Sequence, residues 1–439
     1  MKARLVPVYF PGRDSEFDRQ VAVLQDLLAD EAEILTPLAL GSALPEAEAV
    51  IFPQVLGEAY RMLDAFWAIS LPILIVTSEF GTMAMWDWEI ACYLRAEGVA
   101  VITPYHLDQT RKLCKALSVK RELSRSKFLV FQDNPGEGFQ PSIFKRFYWW
   151  EDECTQRMFD KFGITIQRKS FRELGQRAQA IPDAEADTAW ESWKPRLNLD
   201  AMPVRARNSA LKLYLAVKQE LDQDPSVQGV GINCLNESHF SDTTPCLAWN
   251  MLYEERGLIW GCEADTVSML TKTILSRSLD VPIMMTNLYP FLMGQAALKH
   301  ERIPEFPQVD EPENHILAAH CGYLGVLPQS FATEWTLRKK VLATVNDNAT
   351  AIDARLPLGD ITLAKLAPTF ETITVMEGSL EGYAQYPGSD CLNGAVLKVR
   401  DGHRMMNGLS SHHSLLMTGH HRMDIEMVSG VFGLEVEVI

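Results

Sequence analysis

Over its first 133 residues the sequence switches repeatedly between two hydrophobic periods, and this switching restricts the fold more than any other feature of the 439 residues. Short runs rich in β-branched and aromatic residues begin at Ala3 ("ARLVPVYF"), Ala49 ("AVIFPQ"), Pro72 ("PILIVTS"), Val99 ("VAVITP") and Lys127 ("KFLVFQD"), separated by stretches of helical pattern. The first such stretch places Phe17, Val21, Leu24 and Leu28 at helical spacing, with Asp14 or Ser15 before it as the capping residue. Strands that alternate with helices predict a parallel sheet covered on both faces. No Gly-x-Gly-x-x-Gly follows the first strand, so the domain is read as one without a dinucleotide site.

A polar, acidic stretch from Ile181 to Val204 is the best linker candidate, and a second alternation follows it. Its strands are read at "VQGVGINC", "LIWGCE", "VPIMMTN" and "HILAAHCG", with helices "PCLAWNMLYEERG" and "DTVSMLTKTILSRSL" between the first three. Beyond about Ser330 the runs become short and β-like. Asp401-Gly402 reads as a hairpin turn, and a last helix with Met423, Met427 and Val431 at helical spacing should pack on the closing sheet. The expected fold is α/β: two doubly wound parallel-sheet domains, 1–180 and 181–335, followed by an antiparallel β-barrel-like domain, 336–439.

Composition removes several function classes. The formal charge of −16 lacks the basic footprint that nucleic acid requires. The longest apolar stretch, Ala65 to Ser78, falls short of a membrane span and contains Pro72, so no membrane partner is expected. The opening residues show no secretory h-region, and the eight cysteines are scattered without a Cys-x-x-Cys pair. A cytoplasmic protein acting on a small molecule is expected.

Ligands of open α/β sheets bind outside the carboxyl ends of the strands. In the second alternation those ends carry Cys234, Glu263, Asn287 and His320, so a carboxylate, a carboxamide and an imidazole are expected to share one crevice. Each residue taken alone also has a structural reading: Glu263 as a helix cap beside Asp265, Asn287 bonded to its own turn, His320 in the core. Near the C-terminal end "SSHHSLLMTGHH" places four histidines in twelve positions, which suits a hydrogen-bonded sheet edge as well as a metal site.

The order "GCEADTVSMLT", "PIMMTNLYPF", "LAAHCG", "SSHHSLLMTGH" resembles the L-fucose isomerase-like family, related to the L-arabinose isomerases, over roughly the second half of the chain. The resemblance implies two α/β domains, a C-terminal barrel and a divalent cation, Mn²⁺ or Mg²⁺, in the cleft between them. Carried over by position, the metal ligands are Glu263, Asn287 and His413, with Asn287 standing where the family has an aspartate. Glu263 would also be the base and Asn287 part of the catalytic set, while His320 and His420 would contact substrate. The implied reaction interconverts an aldose and a ketose through a metal-stabilised enediolate. A sugar-binding protein, or an epimerase or lyase of the same fold, is the alternative that the neutral Asn287 keeps open. The aromatic run "FKRFYWWEDE" could stack a sugar through Trp149, or serve as core or subunit interface. A homo-oligomer, trimer or hexamer, is implied as well.

Overall fold

Every apolar run of the first third becomes a strand in the structure, a computed structural model that describes residues 1–55, 57–133, 152–199, 202–290, 309–320, 329–339, 346–384 and 393–439. Strands β1 (Ala3–Tyr9), β2 (Ala32–Ile34), β3 (Leu38–Ala39), β4 (Ala49–Phe52), β5 (Ile73–Ile75) and β6 (Val101–Ile102) form a parallel sheet in the order β2-β1-β4-β5-β6, with β3 also on β1. The helix Ser15–Leu27 starts as read: the Asp14 side chain accepts from Phe17 N at 3.0 Å, and Phe17, Val21 and Leu24 are buried. On the sheet, Val6, Val8, Val50 and Phe52 pack with Phe66, whose ring stacks on Phe52 with centroids 5.1 Å apart.

The chain divides into two compact units, and this sheet belongs to the first, made of Met1–Glu122, Ile274–Asp280 and Met423–Glu435. The last helix, Arg422–Val431, therefore falls largely in the first unit and not with the closing antiparallel sheet as expected. There Lys112 Nζ meets Asp424 at 2.7 Å and Lys120 Nζ donates to Val431 O at 2.8 Å. Its buried stripe is Ile425, Val428 and Val431, while Met423 is exposed.

The second unit holds a further parallel sheet and a barrel. Strands β7 (Lys127–Phe131), β8 (Thr165–Lys169), β10 (Val227–Ile232) and β11 (Ile259–Cys262) pair in parallel in the order β11-β10-β7-β8; β9 (Asn198–Leu199) lies in a separate small sheet. "KFLVFQD", read with the strands of the first domain, thus belongs to the second sheet, between β10 and β8. The other members of the small sheet are β14 (Glu334–Lys339) and β15 (Thr350–Arg355). Strands β12 (Met284–Pro290), β13 (His315–Ala319), β16 (Gly359–Leu366), β17 (Thr372–Ala384), β18 (Gly394–Val399) and β19 (His413–Thr418) run β16-β19-β12-β13-β18-β17, and β16 pairs with β17 to close a six-stranded antiparallel barrel. A last strand, β20 (Glu435–Val438), adds to β17.

The fold is therefore mixed α/β with parallel sheets and a closed antiparallel barrel, as the sequence implied. Three further local readings are corrected. "VPIMMTN" and "HILAAHCG" supply β12 and β13 of the barrel instead of the parallel sheet, because an apolar run does not reveal which strand it will pair with. Asp401 does not turn a hairpin; its side chain accepts from Arg404 N at 2.8 Å and caps the helix Gly402–Gly408. Aspartate before glycine serves either purpose. The supposed linker is largely helical, Asp183–Trp193, with Trp190 and Trp193 buried. Among the described residues no helix is long and apolar enough to cross a membrane.

Candidate functional site

The site is built from the sharp turn that ends β11. Glu263 and Ala264 both take left-handed backbone, φ 54° and 57°, a conformation that costs a residue with a Cβ roughly 1–2 kcal/mol. Gly231 of β10 makes room for the turn: a Cβ there would stand 3.1 Å from Ala264 Cα. Glu263 is 5% exposed at the carboxyl end of its strand, and non-glycine residues held in this region concentrate at functional sites.

Asp265 follows and caps the helix Thr266–Leu279, its Oδ1 accepting from Ser268 N at 2.8 Å. The other oxygen, Oδ2, accepts from Ser268 Oγ at 2.7 Å, from Lys365 Nζ at 2.8 Å and from His413 Nδ1 at 2.9 Å. Lys365 and Ser268 are themselves hydrogen-bonded. All four residues are buried, so one carboxylate joins the strand–helix turn to barrel strands β16 and β19. Burial would raise the Asp265 carboxyl, but Lys365 and His413 overcome it and hold the group well below the usual carboxylate range. Burial lowers Lys365 against the pull of Asp265, and an ion pair with a carboxylate 2.8 Å away keeps it an ammonium.

His413 is driven well below the ordinary histidine value by burial, reinforced by His412 and Lys365 against the opposing pull of Asp265, so it is neutral. Ionised Asp265 only accepts, which puts the His413 proton on Nδ1 and the lone pair on Nε2. His412, whose ring lies 4.5 Å from that of His413, is pushed down by burial to about 4.

Asn287 sits directly across from His413 in the β12–β19 ladder and from Ala319 in β13. Its Oδ1 accepts from His320 Nδ1 at 3.1 Å, and its Nδ2 donates to Tyr289 Oη at 3.0 Å. The His320 and His413 rings stand 5.9 Å apart. The structure thus gathers Asn287, His320 and His413 around one end of the barrel, and Asp265, which bonds His413, stands two residues after Glu263 in the chain. His420 is not brought in: it lies beyond the other end of β19, half exposed, 3.8 Å from Asp360. Trp149 lies outside the described residues.

Sequence reasoning placed Asp265 at the start of the helix, where it caps, but passed over its bond to His413 and missed Lys365 and Ser268. A signal was present for the lysine: in "DITLAKLAP" it shares the strand face of Ile361 and Leu363, where burial of an ammonium demands a partner.

No protein-family model matches the chain, and no curated protein matches it. Among the described residues no group of three His, Cys, Asp or Glu side chains is placed to hold a metal ion. Of the donors the resemblance implies, His413 suits one, since ring histidines that bind metals commonly rest their other nitrogen on a carboxylate. The Asn287 oxygen is engaged by His320. These residues supply a neutral imidazole of fixed tautomer and a carboxylate, Glu263, held on a strained turn, which are tools for moving protons.

Proposed function

We propose that the chain is a sugar isomerase-like enzyme, cytoplasmic and homo-oligomeric as a trimer or hexamer, that interconverts an aldose and a ketose by moving a proton between adjacent carbons. What supports this most is Glu263, a buried carboxylate on left-handed backbone at the carboxyl end of a parallel strand. In this reading Glu263 takes the proton from the carbon next to the carbonyl, the electron pair moves onto the carbonyl oxygen as an enediolate, and Glu263 returns the proton to the neighbouring carbon. His413, neutral with its lone pair on Nε2, takes the hydroxyl proton and gives it back to the other oxygen. Asp265, ionised and held by Lys365 and Ser268, fixes the His413 ring and tautomer throughout. A divalent Mn²⁺ or Mg²⁺ ion, where bound, would be held by Glu263 and the His413 Nε2 lone pair and would supply Lewis-acid polarisation of the carbonyl; His413 moves the hydroxyl proton only while that lone pair is not given to the ion.

The test is turnover of a panel of aldoses and ketoses by the purified protein, with and without added Mn²⁺. Glu263→Gln should lower kcat about 10²- to 10⁴-fold, the usual worth of a positioned base. A Gln variant as fast as the wild type would sink the proposal. One observation favours a second reading, a sugar-binding protein of the same fold: Asn287 brings a neutral oxygen where the resembled family has an anion, and that oxygen already serves His320. Sugar binding without turnover in either metal condition would establish it.

A further inference from the structure

Strands β7, β10 and β11 lie side by side, with Phe131 paired to Ile232 and Ile232 to Cys262 at their carboxyl ends. The next residue in each strand is Gln132, Asn233 and Glu263, and all three are buried, at 7%, 0% and 5% exposure. Asn233 continues the ladder through its backbone N–H, which donates to Phe131 O at 3.0 Å. Its side chain behaves differently. Among the described residues neither the amide nitrogen nor the amide oxygen of Asn233 has a hydrogen-bond partner, nor has the side-chain oxygen of Gln132. Buried polar side chains are paired in the large majority of cases, and exceptions call for a water, an ion or a ligand. These exceptions fall in one row at the edge where α/β sheets take their ligands.

The row is bounded on the next strand. Ser170, which follows Lys169 of β8, is committed: its hydroxyl donates to Asp133 at 2.6 Å and accepts from Glu173 N at 3.1 Å. The Glu237 carboxylate accepts from Asp133 N at 3.0 Å. The open groups are both ends of the Asn233 amide and the oxygen of the Gln132 amide, in a row that ends at the Glu263 carboxylate and carries no cation. Such a set does not match a phosphate or carboxylate ligand. It matches hydroxyls, each of which donates and accepts at once, as an amide does. Neighbouring strands stand about 4.8 Å apart, so three positions span roughly 10 Å, the reach of an open-chain pentose or hexose.

Resting on the isomerase reading above, we infer that Gln132 and Asn233 read the hydroxyls of a neutral, open-chain polyhydroxy substrate and lay its carbon chain along the edge of β7 and β10, with the reacting carbons at Glu263. They determine specificity and take no part in the proton transfer.

Alditols test this directly, because they carry the hydroxyl chain without a carbonyl and cannot turn over. Ribitol, L-arabinitol and galactitol are titrated into the full-length protein by calorimetry, with urea unfolding run in parallel on each variant. At least one alditol should bind the wild type, and Asn233→Leu should weaken it roughly tenfold or more, with Gln132→Leu weakening it less. Asn233→Leu should leave the urea midpoint of the ligand-free protein unchanged or higher, because the amide gives up no partner. A lowered midpoint would mean a structural partner and overturn the inference, as would unaltered alditol affinity in Asn233→Leu or an absence of alditol binding by the wild type. Alditol binding that depends on Asn233, in a protein that turns over no sugar, keeps the row and defeats the isomerase reading. Turnover with a KM indifferent to Asn233→Leu does the reverse.

Discussion

Asp265 carries three jobs on one carboxylate: it caps a helix, holds an ammonium and orients an imidazole. Removing one partner of a buried ion pair leaves the other charge without compensation, at a cost of about 3–5 kcal/mol. Lys365→Met should therefore lower stability by about that amount in urea unfolding, and adding Asp265→Asn should recover part of the loss; a double variant less stable than Lys365→Met alone would show that the pair is not the source. Glu263 and His413 were readable from order along the chain, because their neighbours "CEAD" and "SSHH" mark them. The Asp265–Lys365 pair was not, since it joins positions 100 residues apart and depends on which strand faces which helix.

At the scale of elements, the period of the apolar runs located the strands of the first third and the helix Ser15–Leu27, with its Asp14 cap. Pairing was another matter. β10 and β12 are both short apolar runs, yet one joins a parallel sheet and the other a barrel. What separates them is the company each strand keeps in space, which lies far off in sequence. Close approach between β18 and β13 depends on Gly394, where a Cβ would collide with the backbone oxygen of Ala318. Gly394→Ala should cost about 1–3 kcal/mol by overpacking. A variant with an unchanged urea midpoint would show that the two strands can part without penalty.

For the molecule as a whole, acid stability should depend on ion-paired carboxylates in both units. Burial pushes Glu48 up, but Arg4 and Arg121 outweigh it and hold the carboxyl below its ordinary value; Arg121 lies 2.7 Å away. In the second unit, burial pushes Glu220 up and Lys169 and Arg177 bring it below the ordinary value. A carboxyl whose folded pKa is depressed contributes stability that is complete above its unfolded value, about 4.3, and that fades as pH falls through the folded one. The urea midpoint should thus fall between pH 6 and pH 3, and Glu48→Gln with Glu220→Gln should flatten that fall. A double variant as pH-sensitive as the wild type would assign the acid lability elsewhere.

The bond between His413 and Asp265 closes a loop of 148 residues, and β19 also pairs with β12 from Met284 to Asn287. A ribosome releases β12 long before β19, so the nascent chain carries an unpaired, apolar strand edge through that interval. The proposed catalytic histidine arrives on the same strand that covers it, and a chain cut short before His413 would lack its activity and its protection against aggregation together.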